Sequence, residues 1–148
     1  MEIKYYTPTI EEFHVGVEYE LLNIENAQWG KVTCTRGFGA FDDDKWDLEE
    51  ERIRVKYLDL EDIREQGFIL DMVETKLWGN FIGFHHTKNF RLTYLPHDLK
   101  GGYTPETTEM TISKKRDTTT GIFWDVVFKG IIKNKSEFRK ILNQIGCQ

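Results

Sequence analysis

Short segments in which apolar and polar residues alternate at every second position constrain the fold of this chain most. In residues 13–22, Phe13 and Val15 begin an apolar series whose opposite face is mostly polar, and the same period recurs at residues 53–58 and 121–132. Because successive side chains on a β-strand point to opposite faces, this period predicts strands. Most connections are too short for a crossover, so we expect a largely antiparallel sheet.

Turn residues divide the rest of the chain into further short strands. About eight are expected, at residues 13–22, 29–36, 53–58, 68–74, 77–86, 90–95, 109–115 and 121–132. In the last of these, Ile122, Trp124, Val126 and Phe128 are expected to share one face. With two short helices, the predicted fold class is α+β.

The two helices are predicted at residues 59–66 and 136–145 from their end signals. Asp59 is a good N-cap for the first, and Gly67 stands where a C′ glycine belongs, which predicts contact between Phe68 and Ile63. Ser136 is expected to cap the second helix, whose apolar residues recur at helical spacing and whose end is marked by a glycine.

Length and composition predict a single globular domain over residues 1–148. The chain is 39% hydrophobic and 14% aromatic, which is enough for one packed core. The acidic stretch at about residues 40–51 is expected to be an exposed loop. Two cysteines indicate a reducing compartment, and no apolar leader or membrane span is visible, so we expect a cytoplasmic protein without membrane contact.

Charge is distributed unevenly along the chain. Residues 1–75 carry 8 Lys and Arg against 19 Asp and Glu, whereas residues 76–148 carry 12 against 6. Such asymmetry indicates either an interaction surface or two halves that intertwine and neutralise each other, and we favour the second. The net charge of −5 argues against nonspecific nucleic-acid binding.

The sequence contains no familiar motif for metal binding or catalysis. His85 and His86 are adjacent on a predicted strand and therefore point to opposite faces, so they cannot readily chelate one metal ion. Residues 42–53 begin like a calcium loop, but Asp47 stands where glycine is required. We predict no metal site, no cofactor and no catalytic residue, and leave open whether the chain is an enzyme.

An aromatic run followed by cationic residues is the candidate binding feature. Aromatic rings beside cationic groups can stack against a ligand, although aromatic residues in strands also build cores. Residues 36–39, Arg-Gly-Phe-Gly, place an arginine beside glycine amides that can hold an anion. The candidate binding residues are Arg36, Trp78, His85, His86 and Arg91.

Three segments carry a resemblance to other proteins: YYTPTIEEFHVG at residues 5–16, IRVKYLD at 53–59 with EDI at 61–63, and FKGIIKNKSE at 128–137. They resemble a group of small uncharacterised proteins of Bacteroidetes and their bacteriophages or mobile elements. The group has no known activity, so the resemblance assigns no functional residue.

The resemblance implies a non-enzymatic domain that binds a host protein or a small ligand in the host cytoplasm. The alternative is a small enzyme acting on a nucleotide or another anionic small molecule, with Arg36, His85, His86 and Arg91 as its groups. A third possibility is a structural virion component that forms homo-oligomers. The sequence predicts no particular oligomeric state.

Overall fold

The computed structural model describes residues 3–35, 42–71, 82–94 and 106–147, with the side chains of residues 42–44 left out. The chain divides into two compact units, Met1–Tyr57 and Leu58–Gln148, and each is described by itself. The α+β prediction is confirmed, with two antiparallel sheets. The described residues form nine strands, three α-helices and one 3-10 helix, against the expected eight strands and two helices. The single-domain expectation stays a prediction.

The first unit holds a four-stranded antiparallel sheet in the order β1-β4-β2-β3. Its strands are Tyr5–Tyr6 (β1), Glu18–Asn23 (β2), Gln28–Thr33 (β3) and Ile53–Lys56 (β4). A short 3-10 helix, Ile10–Glu12, precedes β2. On β4 the apolar residues Ile53 and Val55 are buried, as their alternation with basic residues predicts.

The strand expected from residue 13 begins only at Glu18. The Val17 N–H donates to the carbonyl of His14 over 3.0 Å and so closes a turn. Within this turn Gly16 has φ +94°, a conformation that favours glycine and that a strand does not use. The alternation therefore continues through residues that are not in the sheet.

The acidic stretch expected as an exposed loop contains a helix, Asp42–Glu49 (α1). Arg52 binds the Asp47 carboxylate at 2.6 Å, and its guanidinium lies 4.6 Å from the Trp46 ring centroid. One arginine thus supplies both an ion pair and a packing partner, although Trp46 stays 47% exposed.

The second unit holds a five-stranded antiparallel sheet in chain order. The strands are Phe68–Leu70 (β5), Ile82–His86 (β6), Phe90–Tyr94 (β7), Glu109–Thr118 (β8) and Gly121–Ile131 (β9). Two helices, Leu60–Glu65 (α2) and Lys135–Gln144 (α3), bury their apolar residues in the same cluster as one face of this sheet. Among the described residues, no helix has the length and apolar character needed to span a membrane.

Helix α2 has the ends that the sequence predicts. The Asp59 carboxylate accepts the Asp62 N–H at 2.9 Å, and Asp62 accepts the Asp59 N–H in return. Gly67 has φ +86° and donates its N–H to the carbonyl of Arg64 at 2.9 Å. Ile63 and Phe68 are both buried in the same core cluster, while their direct contact stays a prediction.

The predicted cap of the last helix is wrong by two residues. Asn134, not Ser136, is the N-cap, because its side-chain oxygen accepts the Glu137 N–H at 2.9 Å. The Glu137 carboxylate accepts the Lys133 N–H at 2.8 Å and ties down the preceding residue. Asparagine caps as well as serine does, so the two signals compete in the sequence.

A β-bulge in β9 overturns the expectation that Phe128 shares a face with Val126. Ile112 pairs with Phe128 and Ser113 pairs with Val126, so Val127 is an extra residue in the strand. An extra residue reverses the alternation beyond it. Phe128 therefore packs against the core cluster, whereas Val126 is on the opposite face.

Candidate functional site

The face of the five-stranded sheet opposite the helices forms the candidate site, and we call it the binding face. One row of cross-strand partners runs over all five strands of this face. In order, the row is Ile69, His85, Arg91, Ser113 and Val126. Paired residues of neighbouring strands lie on the same side of a sheet, so these five side chains share the binding face.

Arg91 and Trp124 form the centre of the binding face. The guanidinium carbon of Arg91 lies 4.3 Å from the centroid of the Trp124 ring, within cation–π distance. Arg91 is half-buried, and its row partner Ser113 is buried. The centre is therefore packed and fixed before any partner arrives.

The two ends of the row are apolar and open to solvent. Ile69 is 55% exposed on β5, and Val126 is 60% exposed on β9. Ile122 is on the same face and is 61% exposed. An arginine and a tryptophan flanked by exposed aliphatic side chains match the residue types that dominate protein–protein interfaces.

Of the five predicted binding residues, the structure brings two together. His85 and Arg91 are direct cross-strand partners on the binding face, and His85 is exposed. Arg36 and Trp78 lie outside the described residues. His86 is on the opposite face, where its ring centroid is 5.0 Å from that of Phe68.

His86 is held by contacts within the fold. Its Nδ1 accepts the backbone N–H of Lys88 at 3.0 Å. Burial lowers the pKa of His86, with a further lowering by the Lys88 charge, while a hydrogen bond to the Gln66 backbone opposes both. The neutral imidazole is therefore the form that fits this environment.

Trp124 is the residue that sequence reasoning did not assign to the site. The alternation of residues 121–132 places Trp124 with Val126 and Ile122, and that part of the pattern is confirmed. Its neighbour Arg91 is 33 positions away in the sequence, so only the pairing of β7 with β8 and of β8 with β9 brings them together.

Six charged residues of the β8–β9 hairpin form ion pairs with one another. Three ion pairs lie within the hairpin, with N–O distances of 2.8–3.3 Å: Lys115–Asp117, Arg116–Asp125 and Lys129–Glu109. The cations beside the binding face thus already have carboxylate partners. This arrangement offers no continuous cationic strip to a phosphate backbone.

The first unit contains an arginine clamped between aromatic rings. The Arg54 guanidinium lies 3.9 Å from the Tyr5 ring centroid and 4.0 Å from that of Trp29, and it binds Glu20 at 2.7 Å. Both faces of the guanidinium and its edge are occupied by the chain itself. The cluster therefore holds β1, β2, β3 and β4 together.

An open concavity of about 640 Å³ lies at the β2–β3 hairpin, with Leu21, Trp29 and Arg52 among its lining residues. Of the predicted binding residues that the structure describes, His85, His86 and Arg91, none lines it. Within the described part of the chain, no three histidine, cysteine or acidic side chains come close enough to hold a metal ion.

Comparison with known proteins finds no matching family model, no matching curated protein and no matching solved structure. The site is therefore interpreted from its own geometry.

Proposed function

We propose that this chain is a non-enzymatic binding domain that recognises another protein through the binding face of its five-stranded sheet. The observation that carries the proposal is the packed Arg91–Trp124 pair flanked by exposed Ile69, Ile122 and Val126. Rigid aromatic and arginine anchors surrounded by aliphatic side chains are typical of surfaces that lose water on binding a protein.

The resemblance to proteins of Bacteroidetes and their phages supports a host protein as the partner, met in the host cytoplasm. The internal pairing of the hairpin charges supports a partner with an apolar contact surface over a nucleic acid. A protein is favoured over a small ligand because the row of exposed residues spans all five strands and is not enclosed.

The alternative, a small enzyme acting on a nucleotide or similar anion, requires the candidate groups to converge. His85 and Arg91 lie on the binding face, while His86 faces the core side of the same strand. One histidine and one arginine on an open sheet face favour binding over catalysis, because chemistry on an anion needs groups that exclude water. The proposal therefore commits to binding.

Ile69→Asp tests the proposal because it places a charge at one end of the row without touching β8 or β9. Wild-type and variant chains are immobilised, and the proteins captured from a Bacteroidetes host lysate are quantified. We expect a protein captured by the wild type to be reduced at least about tenfold by the variant, as for a charge buried in an interface.

Ile24→Asp is the matched control, because Ile24 is 65% exposed and belongs to the first unit, which contributes no strand to the five-stranded sheet. It should capture the same protein as the wild type. Equal thermal unfolding midpoints for all three chains establish that folding is unchanged. Capture of no protein, or equal capture by wild type and Ile69→Asp, overturns the proposal.

A further inference from the structure

Strand β9 is a long apolar strand at the edge of its sheet. It pairs with β8 on one side, and no strand of the described residues pairs with the other. Five of its large apolar side chains are exposed: Ile122, Phe123, Val126, Val127 and Ile131. Natural edge strands are usually short, charged or covered, since their free backbone groups invite pairing with another chain.

The part of β9 before the bulge extends beyond the rest of the sheet. Pairing between β7 and β8 ends at Phe90 and Lys114, whereas β8 and β9 stay paired to Thr118 and Gly121. The hairpin end is thus a two-stranded arm. The regular segment of its outer strand runs from Gly121 to Val126 and is ended by the bulge at Val127.

This regular segment is complementary to itself when two copies run antiparallel. A twofold axis at Trp124 places Ile122 opposite Val126 of the second copy and the two Trp124 residues opposite each other. Ile122, Trp124 and Val126 all belong to the binding face, so each of these pairs matches apolar with apolar. On the other face Phe123 meets Asp125 of the second copy.

Charge favours this register over its neighbour. With the axis at Trp124, the Asp125 carboxylate of one copy lies beside Phe123 of the other, whose strand partner is Arg116. Arg116 already binds Asp125 of the same chain at 2.8 Å. In the dimer the two ion pairs would lie side by side, with positive and negative groups alternating. An axis at Phe123 would instead bring the two Arg116 side chains towards each other.

We propose that a second copy of this chain adds to β9 as an antiparallel strand across Trp124, so that two five-stranded sheets join edge to edge. The contact is one short strand from each copy, so the dimer is weak and depends on protein concentration. The join also makes the two binding faces continuous. The proposed dimer goes beyond the proposed function, because dimerisation through β9 and binding of another protein do not depend on each other.

Sedimentation velocity of the full chain over a range of concentrations measures the dimer. The wild type should shift from monomer to dimer as its concentration rises. Ile122→Lys and Val126→Asp should each weaken the dimer at least about tenfold, because each places a charge opposite an aliphatic side chain twice.

The two substitutions combined in one chain give the decisive result. In the proposed register each introduced lysine faces the introduced aspartate of the second copy, so the double variant should recover dimerisation. An equimolar mixture of the two single variants should form a heterodimer. Ile69→Asp, on the far edge of the sheet, should leave dimerisation unchanged.

A wild type that stays monomeric at every concentration overturns the inference, and so does a double variant no better than the single ones. Neither outcome bears on the Ile69→Asp capture test, so the two proposals fail separately.

Discussion

His86 shows how one side chain can be fixed by its backbone neighbours. Its Nδ1 accepts the Lys88 N–H, so a proton on that nitrogen would face another hydrogen. Because burial and the Lys88 charge lower the pKa of His86, the folded chain favours the neutral ring. A group with a lowered folded pKa contributes stability that is full above its unfolded pKa and is lost as pH falls.

We therefore expect the free energy of unfolding to decrease as pH falls from about 7 through about 6.5 and below. His86→Gln should flatten this decrease, because glutamine does not titrate. Urea unfolding at several pH values measures it. A pH dependence that His86→Gln leaves unchanged would contradict the prediction.

The Arg54 clamp depends on the shape of the guanidinium group. Its flat faces lie against Tyr5 and Trp29, while Nε and Nη2 both approach the same Glu20 oxygen, at 2.8 and 2.7 Å. A lysine keeps the charge but loses the planar stacking and the second donor.

Arg54→Lys should lower the free energy of unfolding by about 1–2 kcal/mol, as expected for a partly desolvated cation–π and ion-pair cluster. Arg64→Lys is the matched control, because Arg64 is exposed and its ion pair with Glu61 is 3.7 Å long. It should change stability by less than about 0.5 kcal/mol. Equal losses in the two variants would argue against the clamp.

At the scale of elements, two glycines end helices α2 and α3 in the same left-handed conformation but in different surroundings. Gly67 has φ +86° and Gly146 has φ +71°. A Cβ at Gly67 would lie 2.7 Å from His86 Nε2, whereas a Cβ at Gly146 would meet nothing within 4 Å. Only the first position combines backbone strain with a steric conflict.

Gly146→Ala should lower the free energy of unfolding by about 1 kcal/mol, because alanine is strained in the left-handed conformation. Gly67→Ala should cost about 1 kcal/mol more, because the His86 ring must move from its hydrogen bonds. Chemical denaturation of both variants gives the difference. Gly67→Ala should also reduce the pH dependence of stability assigned to His86. Equal losses of unfolding free energy in the two variants would contradict the prediction, because the His86 ring would then move aside without loss of stability.

The strands show where a local pattern is sufficient and where it is not. The alternation of residues 53–58 correctly predicted β4 and its two faces, and turn residues correctly predicted the β6–β7 and β8–β9 hairpins. The predicted start of β2 and the predicted face of Phe128 were wrong. A turn at Gly16 and a bulge at Val127 change the backbone without interrupting the apolar pattern.

At the scale of the whole molecule, the charge asymmetry belongs mainly to the first unit. Residues 1–57 carry 7 Lys and Arg against 13 Asp and Glu, while residues 58–148 carry 13 against 12. The acidic helix α2 contributes to the second unit and offsets its basic hairpin and C-terminal helix. The halves defined by sequence position therefore differ more in charge than the compact units do.

The second unit carries a core cluster of its own. All fourteen buried residues of that cluster lie between Leu58 and Cys147. In the described part of the first unit, by contrast, the buried apolar residues are Pro8, Val17, Cys34, Ile53 and Val55. A 57-residue segment with so few core residues is near the lower limit for independent folding.

We expect a fragment of residues 58–148 to fold by itself and to unfold cooperatively, and a fragment of residues 1–57 to remain unfolded. Circular dichroism and thermal unfolding of each fragment measure this. The intact chain is the reference for helix and strand content. A second-unit fragment without a cooperative transition would show instead that the chain folds as one domain.

The sequence by itself determined the α+β class, most strands, the cap and end of α2, and the position of His85 and His86 on opposite faces, because these follow from local backbone preferences and side-chain period. Only the tertiary structure decided the partners of those strands. It placed Trp124 on Arg91 and put His86 against Gly67 and Phe68. Register and bulges depend on contacts between residues distant in the chain, and the candidate site is made of those contacts.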